Sequence, residues 1–259
     1  MKQLSESTVA LPKALQITVL KEATSTNTLL KFKAKDSAPE GTIIIAEKQT
    51  EGRGRMGHSF FSPGETGLYI SILLRPELDP SDCLYITTAA AVAASRALER
   101  LGSRQVGIKW INDLFIDDKK VGGILTEASV SPSTKKTDYA ILGIGINLSP
   151  PGEGFPEDIK TSAGCVFASE SEYDFSKIVT ALIEEFFTLY YELPSKGFMS
   201  EYKQRSILIG RQAEVICGNE IFSGTVCDIS SEGQLTLLCT DNAIRSFSAG
   251  EARAKPITR

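Results

Sequence analysis

Histidine and cysteine are scarce in this chain of 259 residues, which contains one histidine and five cysteines. The cysteines are widely spaced, odd in number and form no C-x-x-C pair. This pattern argues against a disulfide framework or a zinc site and predicts reduced thiols. With His58 as the single histidine, the sequence shows no recognisable Ser-His-Asp or Cys-His arrangement. The residues therefore give no sign of a covalent enzyme nucleophile.

Long apolar runs and an excess of positive charge are also absent. No apolar run reaches the length needed to cross a membrane, and the polar start, Met1 to Glu6, lacks the apolar core of a signal peptide. The 28 Lys and Arg residues against 32 Asp and Glu residues give a net charge of −4. Proteins that bind nucleic acid backbones are usually basic. These absences predict a cytoplasmic globular protein that binds neither membranes nor DNA.

Composition and periodicity predict two parts. The chain is 42% hydrophobic and 23% charged, the ordinary mixture for a protein with a real core. Up to residue 208, helix-like and strand-like segments alternate, which predicts an α/β domain with a mixed sheet. Residues 209–259 show short alternating strands separated by turn residues, which fits a small β-barrel. Only about sixteen residues precede the first predicted strand, too few for a DNA-reading module, so we expect no transcriptional repression.

Hydrophobic spacing and turn residues set the predicted elements. The alanine-rich segment from Pro80 to Leu101 predicts a long packed helix, because proline precedes it and Gly102 follows it. Two further helices are predicted, one beginning at Ser25 or Thr24 and one over 175–193. The predicted strands of the first part are 17–20, 42–46, 68–74, 106–109, 114–116, 121–128 and 139–147.

The most informative segment is the glycine-rich stretch that follows the predicted strand 42–46. After Gln49, three glycines alternate with Arg53 and Arg55 in the run G-R-G-R-M-G. Glycine allows backbone N–H groups to approach an anion closely, and guanidinium groups neutralise carboxylate or phosphate charge. The segment predicts an anion-binding loop. A solvated turn with incidental charge is the alternative, because R-G-R alone is neither a P-loop nor a dinucleotide-binding motif.

Other segments carry weaker signals. The run K-W-I-N-D at 109–113 places the only tryptophan beside a lysine and an Asn-Asp turn, and Lys120 precedes the pair Gly122-Gly123. Paired glycines weaken a strand, so their presence indicates that something packs closely against that backbone. Alternatively, Trp110 is an ordinary core residue. In the same reading, Lys120 lies on an edge strand, where its alkyl chain covers apolar surface and its ammonium group stays in water. The remaining two segments are S-T-N at 25–27 and G-I-G-I-N at 143–147.

In this order and spacing the segments resemble the biotin protein ligases, the biotin–acetyl-CoA-carboxylase ligase family. The resemblance rests on S-T-N, on Gln49 with G-R-G-R-x-G, on K-W-x-N-D-L, on K-x-G-G-I-L and on G-I-G-I-N. It covers nearly the whole chain, including a C-terminal barrel that ends in F-S-A-G-E at 247–251. It implies the monofunctional type without an N-terminal DNA-binding domain. The implied fold is a class II synthetase-like catalytic domain over residues 1–208 and an SH3-like barrel over residues 209–259.

The resemblance implies a two-step reaction. The carboxylate of biotin attacks the α-phosphate of Mg-ATP, which gives biotinyl-5′-AMP and pyrophosphate. A lysine of the biotin carboxyl carrier domain of a carboxylase then attacks this mixed anhydride and releases AMP. The resemblance also allows for a homodimer. A lipoate or octanoate ligase of similar fold is the alternative, although such proteins carry an R-R-x-S-G-G-G type of loop. A non-catalytic nucleic-acid-binding protein is a second alternative, which the acidic charge balance opposes.

The family's functional residues map onto this chain motif by motif. The metal ligands stay open, with Asp113 as the implied carboxylate near the acceptor lysine or the metal. The catalytic residues implied are Lys120, Arg53, Arg55, Lys109 and Asp113. The biotin-binding residues implied are Ser25, Thr26, Asn27, Gln49, Gly52, Arg53, Gly54, Arg55, Lys120, Gly122 and Gly123. The ATP-binding residues implied are Arg55, Phe60, Trp110, Asn112 and Asn147. Met56 stands where the family often has a basic residue, and Phe60 where bacterial relatives often have tryptophan, which predicts less local charge and a smaller stacking surface.

Overall fold

The computed structural model describes residues 15–254. The prediction that no DNA-reading module precedes the first strand concerns a segment that lies almost wholly outside these residues. Five helices and strands open the chain: β1 (Gln16–Leu20), α1 (Thr26–Lys35), β2 (Thr42–Ala46), β3 (Gly67–Leu74) and α2 (Leu84–Arg100). They are followed by β4 (Gly107–Lys109), β5 (Asp113–Ile116), β6 (Lys119–Val130), β7 (Thr137–Asn147), α3 (Phe175–Tyr191) and α4 (Met199–Gln204). The last strands are β8 (Gln212–Cys217), β9 (Glu220–Ile229), β10 (Leu235–Cys239), β11 (Ile244–Phe247) and β12 (Glu251–Ala254).

The first seven strands form one mixed sheet in the order β1-β2-β3-β7-β6-β5-β4. Strands β1 and β2 are parallel, and every other neighbouring pair in this sheet is antiparallel. The mixed α/β domain predicted from the sequence is confirmed. The predicted helix from Pro80 begins as a 3-10 turn over Pro80–Cys83 and becomes α-helical only at Leu84. The short helix α4 was not predicted, because six residues carry too little periodicity.

Helices cover both faces of this sheet. Helices α2 and α3 pack on one face in a large core, where the alanines of α2 allow close approach. Helix α1 packs on the opposite face through a smaller cluster that includes Leu30, Ile44 and Ile141. Because side chains alternate across a strand, Ser71, Gly143, Gly145 and Glu127 point to the same face as α1. The start of α1 therefore lies over a part of the sheet that carries small and polar residues.

The last five strands form an antiparallel sheet in the order β11-β10-β9-β8-β12. This arrangement is consistent with the predicted SH3-like barrel. The domain boundary at residues 208 and 209 falls between α4 and β8 and stays a prediction. Within residues 15–254, none of the helices is both long and apolar enough to cross a membrane.

Candidate active site

A cavity of about 300 Å³ opens between the start of α1, the glycine-arginine loop and strands β6 and β7. Most of the predicted site residues line it. They are Ser25, Thr26, Asn27, Gln49, Arg53, Gly54, Arg55, Phe60, Asn112, Asp113, Lys120 and Gly123. Segments that are far apart in the sequence therefore meet at one place, as expected if they act on one ligand.

A second, smaller cavity of about 100 Å³ adjoins the first, because Phe60 and Lys120 line both. Its lining includes Phe155 and Asn147, and Asn147 Nδ2 donates to the carbonyl of Gly164 at 3.1 Å. The remaining predicted residues line neither cavity. They are Gly52, Lys109, Trp110 and Gly122.

Trp110 lies between the two sheets rather than in the cavity. Its side chain is buried, and its indole Nε1–H donates to the carbonyl of Gly233 at 2.9 Å. Gly233 belongs to the turn between β9 and β10, so this hydrogen bond joins the mixed sheet to the C-terminal sheet. Trp110 is thus a buried residue that lines neither cavity, and its predicted role in ATP binding stays a prediction.

Replacing Trp110 by phenylalanine tests this structural position. The Trp110→Phe variant loses the hydrogen bond to Gly233 and leaves a buried carbonyl unpaired. We therefore expect the free energy of unfolding to fall by about 1–3 kcal/mol. Chemical denaturation measures this change. An affinity for ATP that drops more than tenfold in the folded variant would contradict the structural assignment.

The polar end of the cavity is formed by α1, the residue Gln49 and strand β3. The backbone N–H of Thr26 donates to Gln49 Oε1 at 2.9 Å, and Gln49 Nε2 donates to Ser62 Oγ at 3.1 Å. Thr26 Oγ1 lies 3.1 Å from Gln49 Oε1 and 2.7 Å from Ser71 Oγ, which itself lies 2.6 Å from Asn27 Oδ1. These buried hydroxyl and amide groups suit a compact neutral ligand group that carries both donors and acceptors.

Two polar residues of this network, Ser71 and Glu127, are missing from the predicted site. The carboxylate of Glu127 accepts hydrogen bonds from Asn27 Nδ2 at 3.0 Å and from Lys31 Nζ at 2.5 Å, and it lies 3.2 Å from Arg53 Nη1. Ser71 interrupts the apolar strand β3, which is the sequence signal that could have identified it. Glu127 lies among polar and small residues of β6, so the sequence carries no such signal for it.

The charge of Glu127 is stabilised by its neighbours. Burial alone would raise the pKa of this carboxyl group. Hydrogen bonds from Lys31 and Asn27, together with the charges of Lys31 and Arg53, outweigh burial and hold the pKa below its usual value. Glu127 is therefore an ionised carboxylate near neutral pH and can only accept hydrogen bonds.

Two glycines of β7 make room for the site. A Cβ atom at Gly143 would lie 2.2 Å from Asn27 Oδ1, and one at Gly145 would lie 2.7 Å from the ring of Phe60. No side chain fits at such distances unless the neighbour moves. The G-I-G pattern at 143–145 therefore allows Asn27 and Phe60 to pack directly on the sheet.

Cations gather at the other end of the cavity. Lys120 Nζ forms an ion pair with Asp113 Oδ1 at 2.7 Å. Arg55 donates to Asn112 Oδ1 at 3.0 Å and to the carbonyl of Gly250 at 3.2 Å, which connects the loop to both sheets. Lys109 lies outside both cavities, and burial is the main cause that lowers its pKa. Fixed cations at this position can offset the negative charge of a carboxylate and of phosphate groups.

The glycine-arginine loop forms a tight turn above these cations. The N–H of Gly54 donates to the carbonyl of His58 at 2.7 Å, and the N–H of Phe60 donates to the carbonyl of Gly52 at 2.8 Å. Met56 sits at the tip with a φ of 53° and a side chain that is 62% exposed. Arg53 and Arg55 thus line the cavity, Arg53 with a side chain that is 45% exposed, while the tip of the loop faces solvent.

Known proteins resemble this chain over most of its length. Residues 19–147 match the biotin/lipoate A/B protein ligase family. The bifunctional ligase/repressor BirA of Bacillus spizizenii is 32% identical over 220 residues, which cover 83% of this chain and 67% of that protein. A biotin–[acetyl-CoA-carboxylase] ligase of Mycobacterium tuberculosis is 26% identical, over 86% of this chain and 83% of its own length. The solved structure of the Aquifex aeolicus biotin protein ligase with biotin and ATP has a TM-score of 0.75 at 27% identity, covering 93% of this chain and 98% of that chain.

Proposed function

The chain belongs to the biotin/lipoate A/B protein ligase family, and we propose that it is an ATP-dependent biotin protein ligase. One observation carries the proposal. A single cavity has a network of hydroxyl and amide groups at one end, beside the Arg53–Glu127 ion pair, and the cations Arg55 and Lys120 at the other. Biotin has the matching parts, a ureido ring that both donates and accepts hydrogen bonds and a carboxylate at the end of an alkyl chain.

We propose that the reaction begins when the biotin carboxylate attacks the α-phosphate of ATP. This step brings an anion to a polyanion, so the cations reduce the repulsion and stabilise the charge that develops between the two groups. The products are biotinyl-5′-AMP and pyrophosphate. The smaller cavity beside Phe60 and Asn147 is the proposed place for the nucleotide base.

Magnesium is proposed to enter with ATP as part of the substrate. Within residues 15–254, no group of three or more His, Cys, Asp or Glu side chains could hold a metal ion by itself. Mg²⁺ commonly binds through one or two carboxylates together with substrate phosphates. Asp113, which lines the cavity, fits that arrangement as a single carboxylate.

The acceptor in the second step is proposed to be a lysine of a biotin carboxyl carrier domain. This lysine attacks the carbonyl carbon of the anhydride, forms an amide and releases AMP. The mycobacterial relative is named as a ligase of acetyl-CoA carboxylase, which supports an acceptor of this kind. We propose that the reaction takes place in the cytoplasm. We also propose that the protein forms a homodimer, and sedimentation would measure its oligomeric state.

Exchange of labelled pyrophosphate into ATP tests the first step. We expect exchange that depends on biotin and that lipoate or octanoate does not support. The lipoate alternative is not favoured by the comparisons, and an apolar acyl chain would leave the polar groups around Thr26 and Gln49 unpaired. Exchange with lipoate and none with biotin would contradict the proposal.

The glycine-arginine loop is expected to respond to ligands. Residues 50–67 contain closely spaced glycine and charged residues that bury little apolar area, so the anion they surround supplies much of their order. We expect biotin together with ATP to slow amide hydrogen exchange in this segment. Mass spectrometry of exchange measures the effect, and equal exchange with and without ligands would contradict it.

A further inference from the structure

The two arginines of the glycine-arginine loop have different kinds of partner. Arg55 donates to two neutral acceptors, Asn112 Oδ1 at 3.0 Å and the carbonyl of Gly250 at 3.2 Å. Its positive charge therefore remains available to an anionic ligand. Arg53 Nη1 instead lies 3.2 Å from Glu127 Oε1, so the charge of Arg53 is already paired with a carboxylate of the protein.

That carboxylate belongs to β6 and is held in place independently of the loop. Glu127 does not line the cavity. Two side chains of α1 fix its position, because Asn27 Nδ2 donates to it at 3.0 Å and Lys31 Nζ at 2.5 Å. The side chain is 18% exposed, so water and salt screen its charge less than at an open surface. Of these three partners Arg53 is the one that belongs to a loop, and Glu127 therefore gives the loop a fixed point of attachment.

Side chains attach the tip of the loop to the mixed sheet. The backbone hydrogen bonds between Gly52 and Phe60 run from one arm of the loop to the other, so they close the turn without fastening it to a strand. On the second arm, the ring of Phe60 packs against Gly145 of β7. On the first arm, Arg53 reaches Glu127 of β6. Loss of this ion pair would leave the first arm with fewer contacts to the sheet.

We propose that Arg53 is a positioning residue that fastens the glycine-arginine loop to β6 through Glu127, an ion pair that we call the Arg53–Glu127 latch. This role differs from the catalytic role that the resemblance implies for Arg53, and it leaves Arg55 as the cation that the loop offers to the reacting groups. One consequence rests on the proposed function. The loop covers biotinyl-5′-AMP between the two steps, and the latch slows its escape into solvent.

Amide hydrogen exchange of residues 52–60, measured without ligands, tests the latch independently of any reaction. We expect exchange in this segment to be about threefold to tenfold faster in Arg53→Gln and in Glu127→Gln than in the wild type, because a partly exposed ion pair that resists local opening is lost. Unchanged exchange in Arg53→Gln would overturn the proposal, since a residue that acts only on bound ligand has no effect in its absence.

Lys31→Gln is the matched control. It removes the other cation of the same carboxylate and leaves the ion pair between Glu127 and Arg53 in place. We expect residues 52–60 of this variant to exchange as in the wild type, and exchange as fast as in Arg53→Gln would overturn the proposal. The comparison of Arg53→Gln with Lys31→Gln requires no change at Glu127, so it decides the question even if Glu127→Gln does not fold.

A double-mutant cycle shows whether Arg53 acts through Glu127. We expect Arg53→Gln to change the exchange of residues 52–60 by less than about 1.5-fold when residue 127 is already glutamine, because the partner of Arg53 is then gone. An effect of Arg53→Gln that is equally large in both backgrounds would contradict the latch.

Escape of the intermediate provides the second readout. Labelled biotinyl-5′-AMP is formed on the enzyme, and its release is followed after addition of unlabelled intermediate. In Arg53→Gln we expect release about threefold to tenfold faster than in the wild type and adenylate formation slowed by no more than that factor. Adenylate formation slowed more than about a hundredfold would return Arg53 to the catalytic residues and overturn the proposal. A wild-type protein that forms no adenylate would overturn the proposed function and leave the exchange result standing.

Discussion

Replacing Lys120 by glutamine is expected to slow biotinyl-adenylate formation by roughly 10²–10³-fold while weakening biotin binding much less. The ammonium group of Lys120 lines both cavities and pairs with Asp113 at 2.7 Å. In the proposed reaction, negative charge builds at this place as the carboxylate oxygen meets the α-phosphorus. A charge that acts more strongly on the transition state than on bound biotin affects the rate more than the affinity.

The neighbouring Lys119 gives a matched control for this change. Side chains alternate along a strand, so Lys119 points away from Lys120, and its ammonium group contacts the carbonyl of Thr161. We expect Lys119→Gln to form adenylate at the wild-type rate. Stopped-flow measurement of adenylate formation, beside calorimetry with biotin, compares both variants. Near-normal adenylation in Lys120→Gln, or a rate loss matched by the loss in affinity, would contradict the assigned role.

Adding one methyl group at Gly143 is expected to weaken biotin binding by about tenfold to a hundredfold. The Cβ atom of a Gly143→Ala variant would lie 2.2 Å from Asn27 Oδ1. Asn27 must therefore leave Ser71 and Glu127, and its hydrogen bonds at 2.6 and 3.0 Å are lost. Because the same network positions Thr26, the polar end of the cavity loses its arrangement even though β7 remains intact.

Gly152→Ala is the control for this steric effect. A Cβ atom at Gly152 meets nothing within 4 Å. We expect this variant to bind biotin normally, and calorimetry measures the binding constants of both proteins. Normal biotin affinity in Gly143→Ala would show that Asn27 can move without consequence, which would contradict its proposed place in ligand recognition.

The mixed sheet could be predicted well because its strands are strongly apolar. The strand at 42–46 has the predicted bounds, because a short β-branched run that ends at polar residues fixes where the strand begins and ends. The strands at 121–128 and 139–147 are longer in the structure by a few residues, where polar residues such as Lys119 and Thr137 continue the ladder. Backbone pairing extends beyond the apolar pattern, so strand ends depend on partners that the sequence does not specify.

The candidate site could be predicted only in part. The motif residues around Thr26, Arg53 and Lys120 were identified because each motif is compact in the sequence. Glu127 accepts hydrogen bonds from residues that precede it by 96 and 100 positions, so only the folded sheet brings them together. Trp110 shows the opposite case, a residue inside a motif whose side chain serves the contact between the sheets.

Transfer of biotin to an acceptor lysine tests the central claim most directly. The purified protein is incubated with ATP, biotin and a biotin carboxyl carrier domain, and the mass of the carrier domain is measured. We predict a gain equal to one biotin minus water, located on a single lysine and dependent on ATP. A carrier domain of unchanged mass, under conditions where a known biotin protein ligase modifies it, would contradict the account.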